Sequence, residues 1–210
     1  MDDSPRDSEI ILAVLDGRRE RFAEIVRRYR GALLRAAESR LKRTDFAEDV
    51  VQETFLCVYK SLHTYNSRYS FRTWLWTILL NQCRRRQKRE SRTPEVQPWS
   101  DVARDARGSA DGPAAASPAV ASPEAGPQDL AIAREQSALL ERLLDELPEA
   151  QADALRLRFF GGLKFQEIAD AMGCSLSSAK ARVRLGLAKM TERMAPAQSR
   201  IRGADADRLQ

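Results

Sequence analysis

The chain has 210 residues, of which 43% are hydrophobic. This is enough for one large or two small domains with modest cores, and it excludes collagenous and wholly disordered classes. The net charge is +5, a mild bias toward a polyanionic partner. No apolar run approaches the roughly 20 residues that span a bilayer, and the start, Met1 to Pro5, is acidic where a secretory signal is basic, so we expect a cytoplasmic protein without membrane insertion.

Few side chains in this sequence are suited to metal or covalent chemistry. Cys57, Cys83 and Cys174 lie far apart and share no CxxC spacing, so we expect three buried thiols rather than disulfides or a zinc site. The single histidine, His63, has no obvious orienting partner and is expected to face solvent or end a helix. We therefore expect no catalytic residues, no metal and no cofactor.

Apolar residues recur at helical spacing through the first 90 residues, and no segment alternates as a strand, so we predict an all-α fold. Gly17 separates a first helix, around Ile10 to Leu15, from a second that starts near Phe22. Asp45 is a plausible cap for a third helix. Its apolar stripe consists of Ala47, Val50, Val51, Thr54, Phe55, Val58 and Leu62. A fourth helix is predicted from Phe71 to Lys88, with Trp74, Leu75, Ile78 and Leu79 facing inward.

Charge is distributed unevenly over these helices. The third helix carries an acidic face outside its apolar stripe, formed by Glu48, Asp49, Gln52 and Glu53. From Thr54 to Arg89 there is then no acidic residue, and from Ala171 to Thr191 there is again none. These two segments carry basic residues without acidic ones, which favours two contacts with nucleic acid. The alternative, solvated helix faces, usually combines positive and negative residues.

The amino-acid composition changes along the chain and divides it into two domains, a linker and a tail. Six of the nine prolines fall between Thr93 and Gln128, among alanine, serine and glycine, and such a segment cannot bury a core. We expect a first domain over 1–92, a flexible Pro/Ala-rich linker over 93–129, a second domain over 130–194 and a polar tail over 195–210.

The second domain contains a helix-turn-helix pattern. Pro148 is expected just inside the start of one helix, and the Gly161 and Gly162 pair stops it. A small residue, Ala169, then marks a close helix crossing, and Gly173 marks the turn. A basic second helix should begin near Ser177. A plain helical hairpin is the alternative at this point.

The motifs resemble those of bacterial sigma factors. The segment Asp45 to Leu62 is similar to the part of these proteins that docks on the clamp helices of RNA polymerase. Phe71 to Ile78 with Asn81 resembles the following part, which reads and opens the minus-ten promoter element, and Leu147 to Met190 resembles region four, which reads the minus-thirty-five element. The organisation into two domains, without additional ones, is similar to that of the extracytoplasmic-function (ECF) subfamily. Many of its members are held inactive by an anti-sigma factor, so such a factor is a candidate partner beside core polymerase and promoter DNA.

The resemblance and the residue chemistry together assign three candidate sites. Like-charged DNA would repel the acidic face, so Glu48, Asp49, Gln52, Glu53 and an apolar anchor, Leu56, are expected to bind polymerase. Aromatic residues beside cations suit single-stranded bases. The minus-ten candidates are Tyr65, Asn66, Ser67, Arg68, Tyr69, Ser70, Phe71, Trp76, Asn81, Arg84, Arg85 and Lys88, while Trp74 is expected in the core. The minus-thirty-five candidates are Ser177, Ser178, Lys180, Arg182 and Arg184.

One departure from the family pattern leaves base-by-base roles open. Where relatives often carry Arg-Ala-Arg, this chain has Leu185, Gly186 and Leu187, and a glycine weakens a helix.

Two other functions fit the sequence less well. A stand-alone helix-turn-helix regulator needs neither the acidic face nor the aromatic, acid-free loop. A nuclease needs clustered carboxylates for metal, and the basic segment between Thr54 and Arg89 contains none. A promoter-directing sigma factor without enzymatic activity of its own is the function that the sequence predicts.

Overall fold

The structure, a computed structural model, describes the backbone of residues 5–66, 69–91 and 138–207, and the side chains of residues 7–66, 69–91 and 138–194. Every regular element in these ranges is helical, which confirms the all-α prediction. The predicted linker, 93–129, lies outside the described residues, as do Ser67 and Arg68. Among the described helices, none is long and apolar enough to cross a membrane.

Four helices form the first half of the molecule. They are α1 (Pro5–Leu15), α2 (Phe22–Leu41), α3 (Thr44–Ser61) and α4 (Phe71–Glu90). The α3 helix packs against both α2 and α4. All seven residues of its predicted apolar stripe, from Ala47 to Leu62, are buried, which confirms the helical periodicity read from the sequence.

Two of these helices start differently from one another. The N-cap of α4 is Ser70, whose hydroxyl accepts a hydrogen bond from the Thr73 amide at 3.1 Å. The predicted cap of α3, Asp45, is wrong by two positions. Arg43 is the N-cap residue, and Asp45 lies in the first turn, where its carboxylate accepts a 2.7 Å hydrogen bond from Arg43 instead of capping the backbone.

The second half begins with the described part of a helix, 138–145, labelled α5. It continues with α6 (Glu149–Phe159), α7 (Phe165–Met172) and α8 (Leu176–Asp207). Pro148 is the N-cap of α6 rather than its first helical residue, a shift of one position. The backbone of α8 extends through most of the segment expected as a polar tail, 195–210.

The turn between α7 and α8 has the predicted helix-turn-helix chemistry. Gly173 ends α7 with φ of 61°, the left-handed conformation that glycine adopts without a Cβ penalty. Ser175 precedes α8, and its hydroxyl accepts a hydrogen bond from the Ser178 amide at 3.1 Å. Ala169 is fully buried, as a close crossing of α7 and α8 requires.

The cysteine prediction is only partly right. Cys83 is 1% exposed, but Cys57 and Cys174 are half-buried. Cys57 lies at the edge of α3, beside the amide of Gln82 at 3.0 Å, and Cys174 lies in the turn after α7, where it packs against the core without being fully covered. His63 is exposed in the turn after α3, as expected.

Candidate nucleic-acid interface

The basic end of α4 forms an exposed surface. Asn81, Arg84, Arg85 and Lys88 are all exposed. Their spacing of three and four residues places them along one side of the helix. The structure therefore presents four of the predicted minus-ten residues together on an accessible cationic stripe.

The aromatic loop before α4 is anchored to the start of that helix. The Tyr65 ring packs against those of Phe71 and Trp74, with centroids 5.8 and 5.3 Å apart, and its hydroxyl donates a 2.7 Å hydrogen bond to the Tyr69 carbonyl oxygen. Tyr69 itself is 53% exposed, and Asn66 is exposed too. The loop thus offers accessible aromatic surface at the start of α4, and unpaired bases stack on surfaces of this kind.

The two tryptophans of α4 occupy positions opposite to those expected. Trp76 is 1% exposed, whereas Trp74 is half-buried and lines an open groove with Tyr69 and Thr77. Phe71, another minus-ten candidate, is also buried. The reason is that the second half of the molecule covers the side of α4 that periodicity alone left facing solvent. In this structure Trp74, not Trp76, is the accessible indole.

The acidic face of α3 is exposed as predicted. Glu48, Asp49, Gln52 and Glu53 are all exposed, and Leu56 beside them is 50% exposed. A groove runs between this face and α4, where Gln82, Arg85, Arg86 and Arg89 line the opposite wall.

Two carboxylates of this face lie near arginines of the same chain. The Asp49 carboxylate is 3.9 Å from Arg86 Nη1, and the Glu48 carboxylate is 3.9 Å from Arg30 Nη2. These are long ion pairs between partly exposed groups, and exposed pairs of this kind contribute little free energy. The acidic face is therefore less isolated than its sequence suggests, yet its carboxylates remain accessible to a partner.

The predicted minus-thirty-five residues divide into two groups. Ser177, Lys180 and Arg184 are exposed on α8. Ser178 and Arg182 are half-buried: the Ser178 hydroxyl lies 2.8 Å from that of Ser175, and Arg182 Nη1 lies 3.9 Å from the Met172 sulfur. Of these five candidates, the three exposed residues are the ones that a binding partner could contact directly.

The departure at Leu185, Gly186 and Leu187 has a partial structural explanation. Gly186 faces Leu155 of α6, so closely that a Cβ atom there would lie 2.8 Å from Leu155 Cδ1. The glycine thus permits close packing of α8 on α6. The free energy of that packing offsets the low helix propensity of glycine. Leu185 and Leu187 are both exposed, and nothing in the structure explains an apolar residue at either position.

Sequence reasoning missed a set of charged residues between the two halves. Arg40 of α2 forms an ion pair with Asp153 of α6, and Arg156 of α6 donates hydrogen bonds to the hydroxyl and carbonyl oxygens of Ser39, at 3.0 and 2.9 Å. Glu167 of α7 contacts the start of α4. One signal was available in the sequence. Arg40 lies at helical spacing from the buried Leu33 and Ala37, which puts a charged residue on the buried face of α2.

An all-α molecule with two exposed cationic surfaces, one of them on a helix-turn-helix, defines a DNA-binding protein of two helical units. Comparison with family models identifies the class further. The Sigma-70 region 2 model matches residues 25–93, and the Sigma-70 region 4 model matches residues 137–190. The chain belongs to the sigma-70 family, in its ECF group.

Two named relatives support this family assignment. The chain is 28% identical over 179 residues to the RNA polymerase sigma-H factor of Pseudomonas aeruginosa, covering 85% of this chain and 88% of that one. It is 28% identical over 184 residues to the ECF RNA polymerase sigma-E factor of Escherichia coli K12, covering 87% and 91%.

Two solved structures share the fold. CnrH, in complex with the cytosolic domain of CnrY, matches with a TM-score of 0.62 at 20% identity, covering 89% of this chain and 96% of that one. The sigma factor RpoE of Bartonella quintana, in complex with the anti-sigma factor NepR, matches with a TM-score of 0.58 at 20% identity, covering 81% and 94%.

Proposed function

We propose that this chain is a promoter-specificity subunit that directs core RNA polymerase to particular promoters, helps to open them, and acts in the cytoplasm without catalytic activity of its own. The observation that carries the proposal is the occurrence of two exposed cationic surfaces in two different family regions, one of them adjoining an exposed acidic face. A stand-alone regulator is not favoured, because it has no use for that acidic face. The domain boundaries at 92, 130 and 194 are part of the proposal.

The first domain would bind both polymerase and the minus-ten element. Glu48, Asp49, Gln52, Glu53 and Leu56 would dock on a basic surface of core polymerase. On α4, Arg84, Arg85 and Lys88 would bind phosphates, and Asn81 would contact a base. The exposed Tyr69 and the half-buried Trp74 offer faces on which an unpaired base can stack, and such stacking is worth about 1 to 3 kcal/mol per base.

The second domain would read the minus-thirty-five element with α8. Ser177, Lys180 and Arg184 are exposed polar residues near its N-terminus, and a helix-turn-helix places such residues against base edges and phosphates. An anti-sigma factor is proposed as a further partner, because both solved structures that share this fold contain a partner chain and one of those partners is named an anti-sigma factor.

Run-off transcription on a library of genomic fragments tests the function directly. The purified chain should bind promoter DNA poorly alone and should support initiation only together with core polymerase. Specific promoter binding without polymerase, and no transcripts with it, would favour the stand-alone regulator instead.

Asn81→Ala and Arg184→Ala should produce different defects. Asn81→Ala should impair opening at the minus-ten element, whereas Arg184→Ala should weaken upstream binding and still permit opening at saturating polymerase. A base-edge contact is typically worth about 1 to 3 kcal/mol, so each defect should be about tenfold. Permanganate footprints over a polymerase titration separate the two effects, and equal opening defects at saturation would contradict the proposed division of labour.

Leu187→Arg should increase the affinity of the chain for duplex DNA. Leu187 is exposed and continues the stripe of Lys180 and Arg184 at a spacing of seven and three residues, so an arginine there would reach the same phosphates. One added phosphate contact should steepen the slope of log affinity against log salt by about 0.9. The control is Leu139→Arg, an exposed leucine on α5, which should leave that slope unchanged. Equal slopes for both variants would remove Leu187 from the DNA-facing surface.

A further inference from the structure

A buried carboxylate joins the first two helices of the chain. Asp7 lies in the first turn of α1, and its side chain is 2% exposed. Arg28 Nη1 donates a hydrogen bond to Asp7 Oδ1, and the Tyr29 hydroxyl donates one to Asp7 Oδ2. Two adjacent residues of α2 thus engage both oxygens of a carboxylate that belongs to none of the three candidate sites.

Burial of this carboxylate is unfavourable by itself. A charge that leaves water loses its hydration, and its partners compensate for that loss only in part. Apolar residues of α1, namely Ile10, Ile11 and Val14, are already buried in the core. The carboxylate adds a fixed position for the Tyr29 side chain, because a hydrogen bond to a buried oxygen has a preferred direction that apolar packing lacks.

The Tyr29 ring connects this carboxylate to the start of α4. It packs edge-on against the ring of Phe71, with centroids 6.1 Å apart and an angle of 64° between the ring planes. Phe71 is the first residue of α4 and is 1% exposed, so close packing on all sides restricts its movement. The orientation of the Phe71 ring therefore depends on where Tyr29 is held.

Phe71 in turn contacts two aromatic side chains at the candidate minus-ten surface. Its ring centroid lies 5.8 Å from that of Tyr65 and 6.0 Å from that of Trp74. The Tyr65 hydroxyl also donates the 2.7 Å hydrogen bond to the Tyr69 carbonyl oxygen. A continuous series of contacts therefore runs from Asp7 on α1, through α2, to the accessible indole and to the loop before α4.

The α1 helix also contacts the chain just before this loop. It packs on the short turn Leu62–Thr64 after α3, and Tyr65 follows that turn directly. The loop is thus in contact with α1 where it begins and, through Tyr29 and Phe71, where it ends. A displacement of α1 would disturb both ends of the loop.

We propose that Asp7 is a positioning residue for the minus-ten surface. Its carboxylate holds Tyr29 against Phe71, and Phe71 sets the orientation of the Trp74 indole, on which an unpaired base would stack. The part that concerns base capture rests on the proposed function, whereas the link from Asp7 to Trp74 is independent of it. Asp7 itself touches no DNA and acts through the two rings.

The orientation of Trp74 matters because the indole is not packed on all sides. Trp74 is half-buried, so its position depends on the few rings that it touches. An indole that takes several orientations binds a base less tightly, since binding must then fix one of them. Loss of the Asp7 contact should therefore weaken base capture without removing any residue that touches the base.

Two variants compare the two partners of Asp7. Tyr29→Phe removes the donor to Oδ2 and releases the ring that contacts Phe71, whereas Arg28→Gln removes the donor to Oδ1 from a side chain that is 32% exposed. Each takes one donor from the same carboxylate, so both should lower the thermal stability of the chain. Only Tyr29→Phe should reduce promoter opening, by about tenfold, which corresponds to the loss of one base stack.

Variants of Asp7 itself test rescue by a conservative change. Asp7→Ala should show the opening defect of Tyr29→Phe, and Asp7→Asn should recover most of the activity, because the asparagine oxygen can still accept from the Tyr29 hydroxyl. Permanganate reactivity at saturating polymerase measures opening, and pull-down with core polymerase should show unchanged docking in all four variants. The positioning role is overturned if Arg28→Gln is as defective as Tyr29→Phe, or if opening and docking fall together with thermal stability.

A spectroscopic measurement tests the link in the full chain without polymerase. Incorporation of fluorotryptophan gives one fluorine NMR signal for each of the three tryptophans, and replacing each by phenylalanine in turn assigns them. Neighbouring rings influence these chemical shifts, so Tyr29→Phe and Asp7→Ala should move the Trp74 signal and leave that of the buried Trp76 in place. An unmoved Trp74 signal in both variants would overturn the link.

The two measurements separate this proposal from the proposed function. A wild-type chain that opens no promoter with core polymerase would contradict the function, and the fluorine signals would still decide whether Asp7 positions Trp74. Normal opening by Tyr29→Phe together with a displaced Trp74 signal would show that opening does not depend on the orientation of the indole. That result would overturn the positioning role and leave the promoter function intact.

Discussion

Changing Asp49 to Arg together with Glu53 to Arg should abolish binding of the chain to core RNA polymerase while leaving its helical content unchanged. Both side chains are exposed on α3, so neither substitution disturbs the core beneath them. The double change reverses two charges at a surface expected to meet a basic partner, where like charges cost several kcal/mol. Pull-down with core polymerase measures the loss, and circular dichroism measures the helicity.

The matched control reverses two acidic residues elsewhere in the first domain. Glu9 and Glu20 are exposed on α1 and in the turn before α2, so Glu9→Arg with Glu20→Arg gives the same change in net charge. This control should retain polymerase binding. Retention by the Asp49 and Glu53 variant as well would place the docking surface elsewhere on the molecule, and loss by both would indicate a general electrostatic effect.

The α3 helix was predictable from sequence because it is buried on one side only. An amphipathic helix with one apolar face has a period that local sequence reveals, and every member of the predicted stripe from Ala47 to Leu62 is buried. The acidic residues on its other face are exposed for the same reason. Periodicity fails where a helix is covered on two sides.

The α4 helix is such a case. Leu75 and Leu79 face inward as predicted, but Trp76 and Leu80 are buried as well, because the second half covers another side. The α6 helix behaves similarly, with Asp153 and Arg156 buried beside Leu155 and Leu157. Arg72 of α4 and Glu167 of α7, for example, lie 95 residues apart, and a contact over such a separation leaves no mark in a window of ten or twenty residues. The exchange of roles between Trp74 and Trp76 follows from the contact between the two halves.

The cationic stripe of α4 shows which part of the site can be predicted from the sequence. Spacing and charge predict that Asn81, Arg84, Arg85 and Lys88 share one stripe, the family resemblance assigns them to the minus-ten element, and all four are exposed. On α8 the same reasoning selected Ser178 and Arg182 together with their exposed neighbours, because spacing does not reveal that one binds the helix cap and the other lies against Met172. Exposure depends on neighbours that only the folded chain supplies.

Shortening the segment between the domains should abolish initiation at promoters that need both elements. The elements lie about 80 Å apart along B-DNA. The segment 93–129 has about 37 residues, whose extended contour reaches about 120 Å, whereas a free coil of that length spans only about 35 Å on average. The segment must therefore be held extended while both domains are on DNA, and binding along polymerase would supply the restraint.

Deleting Val102 to Gly126 leaves about a dozen residues with a contour of about 40 Å, too short for that span even with the width of the domains added. Both domains should stay folded, and polymerase docking, which uses only α3, should persist. Replacing the same 25 residues by a Gly/Ser sequence of equal length is the control, and it should retain most of the activity because it preserves contour.

Loss of run-off transcription with retained polymerase docking and unchanged helical content is the expected combination, because the deleted chain would then be folded and merely unable to reach both elements. Undiminished transcription from a promoter that requires both elements would contradict the bridging argument, since about 40 Å of chain cannot cross the distance between them.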